Sequence, residues 1–186
     1  MFWYCSCMES ADPDPLRLRH ARIHEVQGTG RDAFTIFQAA RHPGPVFWAC
    51  PINQRAMLYP PGMPEGLGGR IYLMRARSEV DLLWATEEAL RASVTGLVVS
   101  EPQRPLSLTA GRRLQLAAEQ GGTTGLMLIA PGHGSNATET RWDCRPIVHP
   151  KGWAHHWATV KNKRGPTGEW RLRWMPQRGG DPVFIR

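Results

Sequence analysis

The sequence predicts an α/β protein in three layers, with a mostly parallel central sheet and antiparallel C-terminal strands. Three observations carry that expectation. Apolar runs of strand length alternate with helical patterns from about residue 22 to residue 130. One of those runs, GLVVS at 96–100, is β-branched and lacks alternation, as befits a strand covered on both faces. After residue 138 the period becomes two, at 139–145, 169–174 and 182–186, which fits antiparallel or edge strands with one wet face.

Taken in order, residues 22–27 (RIHEVQ) read as a first short strand and Gly28-Thr29-Gly30 as the turn after it. A helix is expected over 32–41, with Ala33, Phe34, Phe37 and Ala40 on one face, stopped by Pro43-Gly44-Pro45. VFWA at 46–49 is a second buried strand, 51–69 a loop with a short helix near 54–58, and RIYLMR at 70–75 a third strand. Ser78 can N-cap the next helix, to residue 92, with Asp81 completing a short capping box. Leu82, Leu83, Thr86, Ala89 and Leu90 form its core stripe. After GLVVS, Thr109 is a suitable N-cap for a helix to Gln120, which Gly121 and Gly122 end. GLMLIA at 125–130 is a fifth apolar strand, followed by a flexible Gly-rich loop at 131–137. Residues 146–168 hold Trp153, His155, His156, Trp157, Lys161, Lys163 and Arg164 and read as a mobile basic loop. Residues 1–15, ending in Asp-Pro-Asp-Pro, read as a disordered leader, and 16–186 as a single domain.

A chain of 186 residues buries roughly 70% of its unfolded surface and needs no disulfide or metal staple. Its charge is lopsided, with 23 Lys and Arg against 16 Asp and Glu, a formal +7. That balance fits a nucleic-acid or acidic-protein partner, and equally a solvated basic surface. The four cysteines show no paired CxxC spacing, so reduced thiols are expected. No stretch approaches the ~18 apolar residues of a spanning helix, so no membrane partner and a cytoplasmic protein are expected.

A first strand, a glycine turn and a helix are where a phosphate-binding P-loop would sit. That motif needs glycines to open a nest of backbone N–H groups, a Lys for the phosphates and a Ser or Thr for Mg²⁺. Here Gly28-Thr29-Gly30 is followed by Arg31 and Asp32, with neither the Lys nor the hydroxyl. At the end of GLVVS a metal-holding acid is replaced by Ser100, and Glu101, one residue late, is expected on the wrong side. VFWA ends in Cys50 and Pro51 rather than a catalytic Glu. ATP hydrolysis is therefore not expected, and no catalytic, cofactor-binding or metal-ligating residues are assigned. His133-Gly134-Ser135 lacks the strand–turn–helix context of a nucleophile elbow. His149, His155, His156 and Cys144 match no zinc spacing.

RIHEVQG at 22–28, PVFWACP at 45–51, the run from RIYLMR to EEALRA at 70–92, TGLVVSE at 95–101, LTAGRRLQLAAEQGGTTGLMLI at 108–129, TRWDC at 140–144 and EWRLRWMPQRGG at 169–180 stand in an order that resembles the RecA-like fold. Within it they resemble the ImuA-like proteins of the bacterial SOS mutagenesis cassette. The resemblance implies a degenerate RecA-like domain acting as a non-catalytic accessory factor in SOS-induced translesion synthesis. Its implied partners are an ImuB-like Y-family protein, an error-prone C-family polymerase and RecA. A single-stranded-DNA-binding accessory protein and a SulA-like cell-division inhibitor are the alternatives. Candidate contacts for DNA or a partner are Arg112 and Arg113, then Lys161, Lys163 and Arg164, then Arg171 and Arg173, whose side chains share one face of a strand.

Overall fold

Strand parity builds this protein. The computed structural model describes residues 14–54, 58–175 and 181–185. Among them, nine strands form one sheet: β1 (Ile23–Gln27), β2 (Val46–Pro51), β3 (Ile71–Ala76), β4 (Leu97–Ser100), β5 (Thr124–Leu128), β6 (Thr140–His149), β7 (Gly152–Asn162), β8 (Glu169–Arg173) and β9 (Val183–Phe184). Their spatial order is β3-β2-β4-β5-β1-β6-β7-β8-β9. Every pairing from β3 to β6 is parallel, and every pairing beyond β6 is antiparallel. The expected α/β fold class, a mostly parallel sheet with antiparallel C-terminal strands, is therefore what the chain forms.

Alternate residues of the central strands feed two cores. Leu97, Val99, Leu126 and Leu128 join Phe34 and Phe37 of α1 (Arg31–Arg41) on one face. Val98 and Met127 join Leu90 of α2 (Glu79–Arg91) and Leu114 of α3 (Leu108–Gly121) on the other. This gives the expected three layers, with one helix on one face and two on the other. Helix α2 begins as the sequence predicts, with the Ser78 hydroxyl oxygen accepting from the Asp81 N–H at 3.1 Å. Helix α3 begins two residues earlier than a Thr109 cap would start it. Ser107 caps it, because its hydroxyl oxygen reaches the Ala110 N–H at 3.1 Å. Gly122, at φ +63°, closes it in the left-handed conformation.

Of residues 146–168, expected as a loop, 146–162 form a β-hairpin and only 163–168 connect it to β8. Strand β6 runs on to His149, and β7 returns beside it, pairing Val148 with Trp153 and Cys144 with Trp157. Pro146 sits inside this ladder without penalty. Strand β1 pairs with β6 only up to Asp143 and the Gly28–Gly30 turn covers Cys144 and Arg145, so no residue of β1 requires an N–H from position 146. The α1-side face of the hairpin carries Trp142, Cys144 and Trp157 into the core, where Phe34 meets Trp142 and Trp157 at 4.8 and 5.1 Å. The 131–137 segment is likewise tied down, with Ser135 and Ala137 buried, as is Thr138 after it. Residues 1–13, and most of the short helix expected near 54–58, lie outside the described residues.

His24 of β1 is fully buried, with ring nitrogens 2.7 Å from the Thr140 hydroxyl and 3.0 Å from the Arg19 carbonyl. Burial is the main reason its pKa falls from 6.5 to about 4. Between those values the unfolded chain binds more protons, so stability is fully present above pH 6.5 and is lost as pH falls toward 4. His42 and His155 are lowered by burial too and act in the same direction. At about 1.4 kcal/mol per pH unit, His24 alone should remove about 2 kcal/mol between pH 6.5 and 5. Urea midpoints at those two pH values measure this, and His24→Asn should flatten the dependence.

Candidate functional site

In an α/β sheet of this kind ligands bind beyond the carboxyl ends of the parallel strands. Here that end has been rebuilt. The Gly28–Gly30 turn does not open toward solvent but packs on β6. Gly28 has φ +92°, and a Cβ added there would lie 2.4 Å from the Cys144 carbonyl oxygen. A Cβ on Gly30 would come within 3.0 Å of the Arg145 backbone. The Gly30 N–H donates to the Cys144 carbonyl at 2.8 Å, and the Arg31 N–H donates back to Gly28. These glycines thus serve close backbone packing, and two amides that a phosphate nest would use are already bonded. The Arg31 guanidinium donates to the Ile129 carbonyl at 3.1 Å.

The acid at the end of β4 requires a correction. Ser100 faces α2, its hydroxyl 2.8 Å from that of Thr86. Glu101, expected on the wrong side, continues the Leu97–Val99 parity and points to the α1 side. It borders a cavity of about 230 Å³ with Arg31, Asp32, Cys50 and Arg75. Both its oxygens are engaged, accepting from Trp48 Nε1 at 2.8 Å and Gln54 Nε2 at 2.7 Å. Burial raises the Glu101 pKa, and the Trp48 hydrogen bond partly offsets this. Burial, and then the Glu101 charge, raise the Cys50 thiol. A buried thiol pushed upward is a poor nucleophile.

The basic candidates scatter to three places. Lys161 reaches inward, its ammonium donating to the Ser135 and Thr138 carbonyls at 3.0 and 2.7 Å. Burial lowers its pKa, against an opposing pull from Glu25. Lys163 donates to the Ala137 carbonyl at 2.7 Å, and Arg164 pairs with Glu139 at 3.3 Å. These three side chains pin the 131–139 segment to β7. Ser135, which that segment carries, is itself buried, with its hydroxyl oxygen accepting from the Ala137 N–H.

Arg171 and Arg173 share one face of β8 while Trp170, Leu172 and Trp174 pack against the α1-side core, as the sequence predicts. On that face Arg145, His156 and Arg171 stand directly across β6, β7 and β8. Asp143 pairs with Arg145 at 2.8 Å and Glu169 with His156 at 3.1 Å. Sequence reasoning missed Arg145, because membership in this row depends on a register that only the folded hairpin fixes. Arg112 and Arg113 stand on the outer surface of α3, and Arg113 pairs with Glu87 of α2. Near them Val80 and Trp84 are 76% and 63% exposed, unusual for a tryptophan.

No protein-family model matches the chain. Two curated relatives, both named Protein ImuA and both from strains of Caulobacter vibrioides (NA1000/CB15N and ATCC 19089/CB 15), are each 32% identical to it. Each alignment covers 86% of this chain and 71% of the relative. That identity over that coverage, joined to an α/β sheet in which the expected strands and helices occur in the expected order, shows that the chain belongs to the ImuA family.

Proposed function

We propose that this protein is a non-catalytic adaptor in SOS-induced, error-prone translesion DNA synthesis, bridging an ImuB-like Y-family protein and a C-family polymerase and working alongside RecA. Membership in the ImuA family supports involvement in the ImuA/ImuB mutagenesis system, and one structural observation carries the adaptor reading. The glycine turn at the carboxyl end of the sheet is packed on β6 and lacks the phosphate-binding Lys and the metal-holding hydroxyl. Glu101, the nearby acid, has both oxygens occupied by the protein itself. The fold then serves as a rigid platform, and its function resides on its outer surfaces. The purified chain should bind purified ImuB-like partner with a Kd of about 1 μM or tighter by calorimetry. No heat of binding at concentrations tenfold higher contradicts the reading.

A second reading, direct contact with single-stranded DNA, is favoured by the row of Arg145, His156 and Arg171 and by neighbouring Arg173. Exposed Arg164 and Lys163 belong to this reading as well. Lys161 contributes less, since its ammonium is spent on backbone carbonyls. Such binding weakens steeply with salt, and salt-insensitive or absent binding to an oligonucleotide removes it.

A further inference from the structure

The amino end of the parallel sheet, opposite the rebuilt carboxyl end, holds a cavity of about 350 Å³. That volume falls within the roughly 300–1,000 Å³ of small-molecule sites. Arg17, His20, Gln38, Arg41, His42 and Thr124 line it, so its walls come from the lead-in to β1, the end of α1 and the first residue of β5. Thr124 pairs with Leu97 in register, which puts its side chain on the α1 side of the sheet, and it is 1% exposed. Its hydroxyl has no hydrogen-bond partner among the described residues. A buried hydroxyl left unanswered costs stability, and one beside a cavity points to a ligand that answers it.

The cavity also gathers positive charge. The one acid among its lining residues is Asp14, which is already paired with Arg41. The side chains of Arg17 and His20 have no hydrogen-bond or salt-bridge partner among the described residues. His42 Nδ1 donates to the Gln38 carbonyl at 2.7 Å, which leaves Nε2 for a ligand. Burial, and after it the charges of Arg41, His20 and Arg17, hold the His42 pKa below its usual value. These cations crowd one another, and an anion among them relieves the crowding. The end of α1 carries partial negative charge, which an anion would oppose. Here that charge is answered, since Arg70 donates to the Ala39 and His42 carbonyls at 3.3 and 2.8 Å and His42 to that of Gln38.

We propose that this cavity binds a terminal phosphate group, with the Thr124 hydroxyl, His42 Nε2, His20 and Arg17 as its donors. A phosphate offers three oxygens and close to two negative charges, which suits these donors better than the two oxygens of a carboxylate. His42 donates from Nε2 once it takes up a proton, which the anion favours. Such a group ends a small phosphorylated molecule or the 5′ end of a nucleic-acid strand. Magnesium-bound ATP is a poor occupant, because the metal already answers its phosphates. The site stands apart from the adaptor reading and from the carboxyl end of the sheet.

The test follows the phosphorus NMR line of inorganic phosphate in Mg²⁺-free chloride buffer. Wild type should bind phosphate with a Kd of about 1 mM. Thr124→Val, which keeps the side-chain shape, and His42→Asn should each weaken binding about tenfold, and Arg17→Ala about fivefold. Arg171→Ala, on β8, should bind as wild type. Without phosphate Thr124→Val should melt no lower than wild type, because it removes an unanswered hydroxyl. Should it fold poorly, exposed Arg17 carries the test. No broadening by wild type, or equal broadening by all the variants, overturns the proposal, as does acetate competing as well as phosphate. Glycerol 3-phosphate, a 5′-phosphorylated tetranucleotide and its 5′-hydroxyl counterpart are then added as competitors. Displacement by either phosphorylated compound and not by the hydroxyl one supports the site and shows which source it takes. Displacement by neither, or equally by the hydroxyl strand, overturns it and leaves an adventitious ion only.

Discussion

Glu25→Ala should lower stability by about 3–5 kcal/mol, the cost of breaking a buried charge pair from one side. Glu25 is fully buried on β1. Its carboxylate accepts from Arg141 Nε at 2.8 Å, the Ser135 N–H at 2.7 Å and the Thr138 hydroxyl at 3.0 Å. Removing it leaves the Arg141 guanidinium, whose side chain is only 20% exposed, without its counter-charge and the Ser135 N–H without its acceptor, while the Thr138 hydroxyl can still donate to the Ser135 carbonyl at 3.0 Å. Gly134 lies directly over that guanidinium, where a Cβ would come within 1.8 Å of its carbon, so the arginine has no simple route outward. Lys161 adds a second cation bonded to the same segment. Glu25→Gln keeps one acceptor and should cost less. Urea unfolding of the two variants measures the difference, and a loss below about 1 kcal/mol for the alanine would show that Arg141 finds water or another partner.

Trp157→Ala should cost about 3–5 kcal/mol as well, by a different mechanism. The indole is fully buried and lies 5.1 Å from Phe34 and 5.0 Å from Phe37, so it locks α1 onto the antiparallel half of the sheet. Truncation leaves a cavity between two elements that cannot easily close on it. Trp157→Phe should recover most of the loss. Among the described residues the indole N–H has no hydrogen-bond partner, so the phenyl ring forfeits volume but no bond. Chemical denaturation again reads both, and equal midpoints for the Ala variant and wild type would place Trp157 outside the core.

That second residue also marks where the sequence misleads. The parallel half of the fold was legible because its strands are short, apolar and separated by helices with an apolar stripe. Ser78 capping α2 and the αL turn at Gly122 are local signals, and local signals survive without tertiary context. Residues 146–168 hid a strand because its period-two pattern is written in His, Ala, Thr and Lys and is flanked by Pro146, Pro150 and Gly165. Burial of Trp157 supplies the missing reason for a strand, and only packing against α1 reveals it. The α3 cap moved from Thr109 to Ser107, both being favoured cap residues with Ser the better of the two. The glycine turn was found, but its purpose was not. Its docking on β6 depends on a contact between residues far apart in sequence. Glu101 was placed on the wrong side because parity was counted from an assumed acid position rather than from Leu97 and Val99.

The candidate surfaces were legible only in part. Arg112, Arg113 and Arg171 lie outward as composition and periodicity indicate and Arg173 is half-buried, whereas Lys161 turns inward to satisfy carbonyls of the 131–139 segment. The Arg145–His156–Arg171 row cannot be read from the chain, because it needs cross-strand register.

The central claim is that the carboxyl end of this parallel sheet offers no phosphate cradle, its glycine turn being packed on β6. Thermal unfolding with and without millimolar ATP and Mg²⁺ tests it most directly. A ligand present at 100 times its Kd stabilises by about 2.7 kcal/mol. For a chain of this size that is a rise of roughly 5–10 °C. The account predicts no shift. A saturable rise of several degrees, abolished by Arg31→Ala, would contradict it.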